Sequence, residues 1–189
     1  MDPQSNFSRR RFVAVAVSTA GMGVLASSLT GCSDASVTDR RLIFSSLDDV
    51  LRDLDRLAAA KVASRGAAWN WPQTLVHCAQ SIEYSITGFP SARSAVFQRT
   101  LGAAALTVFT WRGRMSHDRA DPIPGAPALD ANTDVAAAMT RLRRAIADFR
   151  ATSAPPRPHF AYGELSKTEY EKAHAMHLAN HFSAFDTAA

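Results

Sequence analysis

The chain has 189 residues, 47% hydrophobic, 20% charged and 8% aromatic, with nine glycines and nine prolines. That composition excludes collagen-like, low-complexity and disordered classes and fits one globular domain. Net charge is +4, but residues 1–31 hold three arginines and one aspartate, leaving 18 basic against 16 acidic residues in the rest. A mature domain this close to neutral gives no electrostatic footprint for nucleic acid. Two cysteines cannot build a disulfide framework.

Taken from the N-terminus, the first 31 residues read as an export signal. Ser8-Arg9-Arg10-Arg11-Phe12-Val13 precedes Ala14-Val15-Ala16-Val17 and a mildly apolar stretch that reaches Leu25. The stretch is too short and weakly apolar for a stable spanning helix. It resembles a twin-arginine signal carried by Arg9 and Arg10, with an ordinary secretory signal as the competing reading. Leu29-Thr30-Gly31-Cys32 resembles a lipoprotein processing box with lipid added at Cys32; the competing reading is a cleavage site with a coincidental cysteine. The expected location is therefore the periplasmic side of a membrane, through a lipid anchor on Cys32. Ser33 after the cysteine allows, by resemblance, an outer-membrane destination. Residues 32–44 are polar and mixed, a tether, and the folded domain is expected over 45–189.

From Ser46 the pattern is helical. Ser46 caps, Asp49 follows three residues on, and Leu47, Val50, Leu51, Leu54 and Leu57 recur at helical spacing, with an expected end at Arg65-Gly66. Asn70-Trp71-Pro72 opens a second helix, which runs to about Thr87 and stops at Gly88-Phe89-Pro90. A third is expected from about Ser94 to Arg112; its centre, Gly102-Ala103-Ala104-Ala105, permits close backbone approach or leaves room for a pocket. Residues 113–132 form a long irregular connection of a length seldom present without a purpose. Asp134 opens a fourth helix whose buried face carries Val135, Met139, Leu142, Ile146 and Phe149. An aromatic turn, His159-Phe160-Ala161-Tyr162-Gly163, precedes a last helix that opens on the Ser166/Glu169 capping box and runs to about Phe185. No run alternates with period two, so no sheet is expected. The fold class is all-α, a four-helix bundle with an extra short helix and a long connection.

Six histidines carry the candidate chemistry: His77, His117, His159, His174, His177 and His181. At about 100° per residue, the three on the last helix share one face. His177 and His181 are one turn apart, a separation that lets two imidazoles meet one ion. In an antiparallel bundle His77, mid-helix among Leu75, Cys78 and Ile82, can close a three-histidine site. Three neutral imidazoles suit Zn, Ni or Fe(II) and leave a position for water or substrate. A histidine pair as a polar rim and a lone core histidine are the plain alternatives.

Trp71-Pro72-Gln73-Thr74-Leu75-Val76-His77-Cys78-Ala79-Gln80-Ser81-Ile82 resembles the second-helix segment of the DinB/YfiT-like four-helix-bundle superfamily, in particular a bacterial subgroup of unknown function. Pro158–Ser166 resembles the subgroup's aromatic-glycine turn, and His177-Leu178-Ala179-Asn180-His181-Phe182 its paired-histidine motif. The likeness spans roughly residues 45–186. It implies a divalent ion held by His77, His177 and His181, in a superfamily that includes thiol-dependent transferases and isomerases. Asn180 departs from the subgroup, which often has another histidine there. His174 is an extra candidate ligand. Gln73, Ser81 and Tyr84 project toward the His77 side of their helix as pocket or hydrogen-bonding residues, and His159 is a candidate roof. Cys78 reads as a small packed residue, His117 as a surface histidine, and Trp69, Trp71 and Trp111 as packing anchors. Two function classes stand: an exported metal-dependent hydrolase or transferase acting on a small molecule, and a non-catalytic metal- or ligand-binding lipoprotein. A homodimer is compatible with either.

Overall fold

The computed structural model describes residues 39–188. The export-signal residues Arg9 and Arg10 and the lipidation residue Cys32 lie outside them. The described elements are α1 (Leu47–Ala58), β1 (Val62–Ser64), α2 (Trp71–Thr87), α3 (Ala95–Phe97), a π turn (Gln98–Gly102), α4 (Ala103–Arg112), α5 (Val135–Ala151), α6 (Lys167–Phe182) and β2 (Phe185–Thr187). The fold is all-α and bundle-like. α2 packs on α5 and α6, and α1 packs on α5 and α6. None of these helices is long and apolar enough to cross a membrane.

Helix starts follow local chemistry. Ser46 with Asp49, Asn70 with Gln73 and Ser166 with Glu169 each form a reciprocal capping box, satisfying backbone N–H groups that a helix start leaves unpaired. Pro72 sits in the first turn of α2. Asp134 accepts from the Ala137 amide to open α5. The apolar stripes then meet. Leu47, Val50, Leu54 and Leu57 of α1, Leu75, Cys78 and Ile82 of α2, Leu142, Ile146 and Phe149 of α5, and Leu178 and Phe182 of α6 are all buried in one core. Val135, at the exposed start of α5, stays outside it.

Three boundaries differ from expectation. α1 ends at Ala58, not at Arg65-Gly66, and α6 ends at Phe182, not near Phe185. The released residues pair as a two-stranded antiparallel ladder, with Val62 opposite Thr187 and Ser64 opposite Phe185. A strand of three residues is too short for alternation to be visible, so the backbone pairing decides it. The third difference is the expected tether. From Asp39 the chain is already docked: the Arg40 amide donates to the Ser183 carbonyl at 3.0 Å, Arg40 pairs with Asp53, and Phe44 is buried edge-on against Phe182.

α3, the π turn and α4 follow one another as a single helical run capped by Ser94 and ended by Gly113 in the left-handed region (φ 64°). The π turn widens the helix where it meets the aromatic turn at 159–163. Gln98 Nε2 donates to the Phe160 carbonyl at 3.2 Å, and Gly102 lies against the Ala161 carbonyl. Single π turns inside helices recur beside functional sites. The outer side of this run is open: Trp111, expected as a packing anchor, is 85% exposed.

Candidate metal centre

α2 and α6 cross so that His77, mid-way along one, faces His177 and His181 on the other. One ligand nitrogen from each lies within 4.8 Å of the other two. His77 Nε2 and His177 Nε2 are 3.2 Å apart. Two nitrogens bound to one tetrahedral ion at about 2.0–2.1 Å would be separated by about 3.3 Å. The ring centres are 5.1 Å (His77–His177), 4.7 Å (His77–His181) and 4.7 Å (His177–His181) apart. His77 and His181 are 3% and 2% exposed.

The cluster fits a divalent ion on two further grounds. His181 Nε2 is buried without a hydrogen-bond partner, which is costly for a polar atom unless an ion or ligand satisfies it. His77 Nδ1 and His177 Nδ1 are also unpartnered, but they face away from the Nε2 atoms that meet, and an ion on those would not reach them. The rings are also held neutral, the state that ligates. Burial, with a smaller push from His117, lowers His77 to about 3. Burial and the neighbouring imidazoles hold His177 and His181 well below the usual histidine range.

Beside the cluster is a cavity of about 240 Å³, lined by His77, Ser81, His117, His177, Phe160 and Tyr162 among others. Its apolar wall contains Met115 and Ile123 of the long connection, both buried. Burial pushes the Tyr162 hydroxyl up to about 12, so it remains a neutral donor. Arg93 and Asp121 also line the cavity.

The other expected site residues separate into two groups. Ser81 lines the cavity and is buried. His174 also lines it but is not among the clustered nitrogens: its Nε2 is 3.2 Å from Ser85 Oγ, and its ring packs against Phe149 and Tyr170. His159 roofs the cavity. Its Nδ1 accepts the Ala161 and Tyr162 amides at 3.1 and 3.2 Å, and its ring stacks on Tyr162. Gln73 and Tyr84 are not in the cavity. Gln73 closes the α2 capping box and donates to the Leu129 carbonyl, pinning the connection. Tyr84 packs on Phe89 and lines a separate groove. Cys78 is a fully buried thiol that burial pushes up, as a packed residue should be.

Two residues at the site differ from the sequence expectation. Trp69 is not simply an anchor: its ring lies 4.7 Å from His77 and stacks on His181 at 6.0 Å. His117 is not a free surface histidine: its ring centre is 5.1 Å from both His177 and His181. Neither belongs to a periodic segment, so pattern alone carries no signal for them. For His117 the length of the connection is the one available cue.

Neutral buried histidines make stability fall in acid. Burial lowers His174 to about 3, against about 6.5 in an unfolded chain. Between those values the unfolded state binds the proton and the folded state does not. Stability therefore rises with pH across that window and is lost as pH falls through it. In metal-free protein the urea midpoint should drop from pH 6.5 to 5 by an amount equivalent to about 2 kcal/mol for His174 alone. His174→Gln should flatten part of that slope, and a profile flat from pH 7 to 4 would contradict neutral burial.

Fold and site together define a helical-bundle protein with a buried three-histidine cluster beside a small cavity. The chain belongs to the family described as "Protein of unknown function (DUF1569)", whose profile matches residues 37–188. Among curated proteins and solved structures none matches it significantly.

Proposed function

We propose that this protein is an exported, lipid-anchored metalloprotein of the DinB/YfiT-like type. It holds one divalent ion, Zn, Ni or Fe(II), on His77, His177 and His181, and it works as a hydrolase or group-transfer enzyme on a small molecule. The observation that carries this reading is the convergence of three buried, neutral imidazoles, one ligand nitrogen of each within 4.8 Å of the others, beside a cavity. When bound, the ion supplies Lewis acidity toward an oxygen of the substrate. The chain's own residues do the rest. The connection residues Met115 and Ile123 exclude water from one wall. Ser81 and Tyr162 offer hydroxyl groups to a ligand, and Arg93 offers positive charge to an anionic one. Three protein ligands leave a position for substrate, the arrangement of reactive rather than purely structural sites.

The test is metal analysis of the purified chain with thermal melts before and after chelation. The expected result is about one divalent ion per chain. The bundle has its own core, so chelation should lower Tm without unfolding the protein at room temperature. A chain that retains no ion at any pH above 7 would end the metal reading.

Export and anchoring rest on Arg9, Arg10 and the residues before Cys32. Changing Arg9 and Arg10 together to lysine should strand precursor in the cytoplasm, seen by fractionation and immunoblot. Unimpaired export of that variant would assign the chain to the general secretory path.

A further inference from the structure

The long connection brings a fourth histidine to the cluster. His117 Nδ1 is 2.8 Å from the Asp118 carbonyl oxygen. A carbonyl only accepts, so Nδ1 carries the proton and Nε2 presents its lone pair. That Nε2 is buried and has no partner. A neutral imidazole whose Nδ1–H is held by a backbone carbonyl and whose Nε2 is free has the hydrogen bonding of a metal-ligating histidine.

The ring spacings to the two α6 histidines agree. Two imidazoles on one ion, with nitrogens at about 2.0–2.1 Å, have ring centres about 4.5–5.2 Å apart for bond angles near 90–110°. His117 is 5.1 Å from His177 and 5.1 Å from His181, equal to the His77–His177 spacing. Its backbone is fixed to the ligand helix as well: Asn180, the residue before His181, donates from Nδ2 to the His117 carbonyl at 3.3 Å. His117 stands outside the set of nitrogens that lie mutually within 4.8 Å. The connection must therefore draw closer to α6, with the Asp118 hydrogen bond kept, to bring His117 Nε2 onto an ion.

We propose that His117 is a fourth metal ligand, supplied by the connection rather than by the bundle. Metal binding then clamps residues 113–134 onto α6 and closes the cavity wall that carries Met115. A substrate enters by expanding the ion to five-coordinate, as zinc centres permit. The inference rests on the three-histidine reading and extends it.

Cobalt(II) is the probe, titrated into the metal-free full-length chain and into His117→Ala and His117→Cys variants. His117→Ala should weaken cobalt affinity by at least about tenfold, since even loss of an outer hydrogen bond to a ligand costs 10–100-fold. Its metal-free melt should match the parent's, which separates lost ligation from lost folding. In His117→Cys a new near-ultraviolet thiolate-to-cobalt band should appear that the parent, with its Cys78 thiol, does not show. Cobalt binding by the parent, with unchanged affinity in His117→Ala and no new band in His117→Cys, would overturn the fourth ligand and leave the three-histidine centre standing. Failure of the parent to bind cobalt would overturn both.

Discussion

His77→Ala and His181→Ala should each purify without a stoichiometric divalent ion, while the parent chain retains about one. Either change removes one of the three nitrogens that the bundle helices supply, and affinity should fall by well over a hundredfold, beyond the 10–100-fold cost of losing a second-layer partner. The two variants probe opposite walls of the site, one on α2 and one on α6. Their equivalence is what a shared ion requires. The metal-free proteins should behave differently from the loaded ones. His181 Nε2 has no hydrogen bond to lose; His77 loses its Nε2 contact to His177 but also an unpartnered Nδ1, and an unsatisfied buried nitrogen costs about 1–3 kcal/mol. Removing it offsets part of the cavity left by the ring. Metal-free variants should thus melt close to the metal-free parent, and the large Tm gap should appear only when metal is present. Normal metal content in either variant would refute the ligand assignment.

Gly102→Ala should destabilise the protein even though helix propensity argues the other way. Inside an exposed helix the change would add about 1 kcal/mol of stability. Here the new Cβ would overlap the carbonyl oxygen of Ala161, with the Ala161 carbonyl carbon at 3.1 Å and the Phe97 carbonyl oxygen at 3.3 Å. These are backbone atoms, which cannot swing aside as a side-chain tip can. Either the helical run from Ala95 to Arg112 or the 159–163 turn must move. Overpacking of this kind costs about 1–3 kcal/mol or more. For a domain of this size each kcal/mol corresponds to about 2–4 °C, so Tm should fall by roughly 2–12 °C. The displaced turn carries His159, Phe160 and Tyr162, all facing the cavity, so small-ligand binding should weaken as well. Ala104→Gly, two residues on at an exposed position, should cost only about 1 kcal/mol and leave the cavity alone. Equal melting of Gly102→Ala and the parent would show that the close approach carries no weight.

Much of this arrangement is written in local chemistry. Ser46, Asn70, Asp134 and Ser166 announce their helices because a side-chain oxygen can satisfy an open amide within the same turn. The apolar positions of α1 and α5 recur with the helical period because one face of each must leave water. The His177/His181 pair is legible for the same reason, since two residues one turn apart share a side of the helix whatever surrounds it. His77 as their partner is an expectation of an antiparallel bundle that the family resemblance strengthens, because nothing local to α2 says which helix it will face.

Events that depend on chain segments distant in sequence could not be read that way. The pairing of Val62–Ser64 with Phe185–Thr187 joins residues more than a hundred apart, and each strand is too short to carry a pattern. His174 and His177 occupy neighbouring turns of α6, yet one finds Ser85 and the other finds His77, a choice made by the α2 surface opposite each. Trp111 has the composition of a core residue but is left 85% exposed by the described residues, whereas Trp69 has a stack of imidazoles. His117 sits in a segment without period, and its ring reaches the cluster only because the connection is pinned at Asn70, Gln73 and Asn180. The amino-acid order by itself determined the helices, their capped starts and the faces they bury, because those follow from interactions within a few residues. The tertiary structure decided which imidazoles meet, what roofs them and where the chain leaves helix for strand, because those depend on packing between elements that no local interaction specifies.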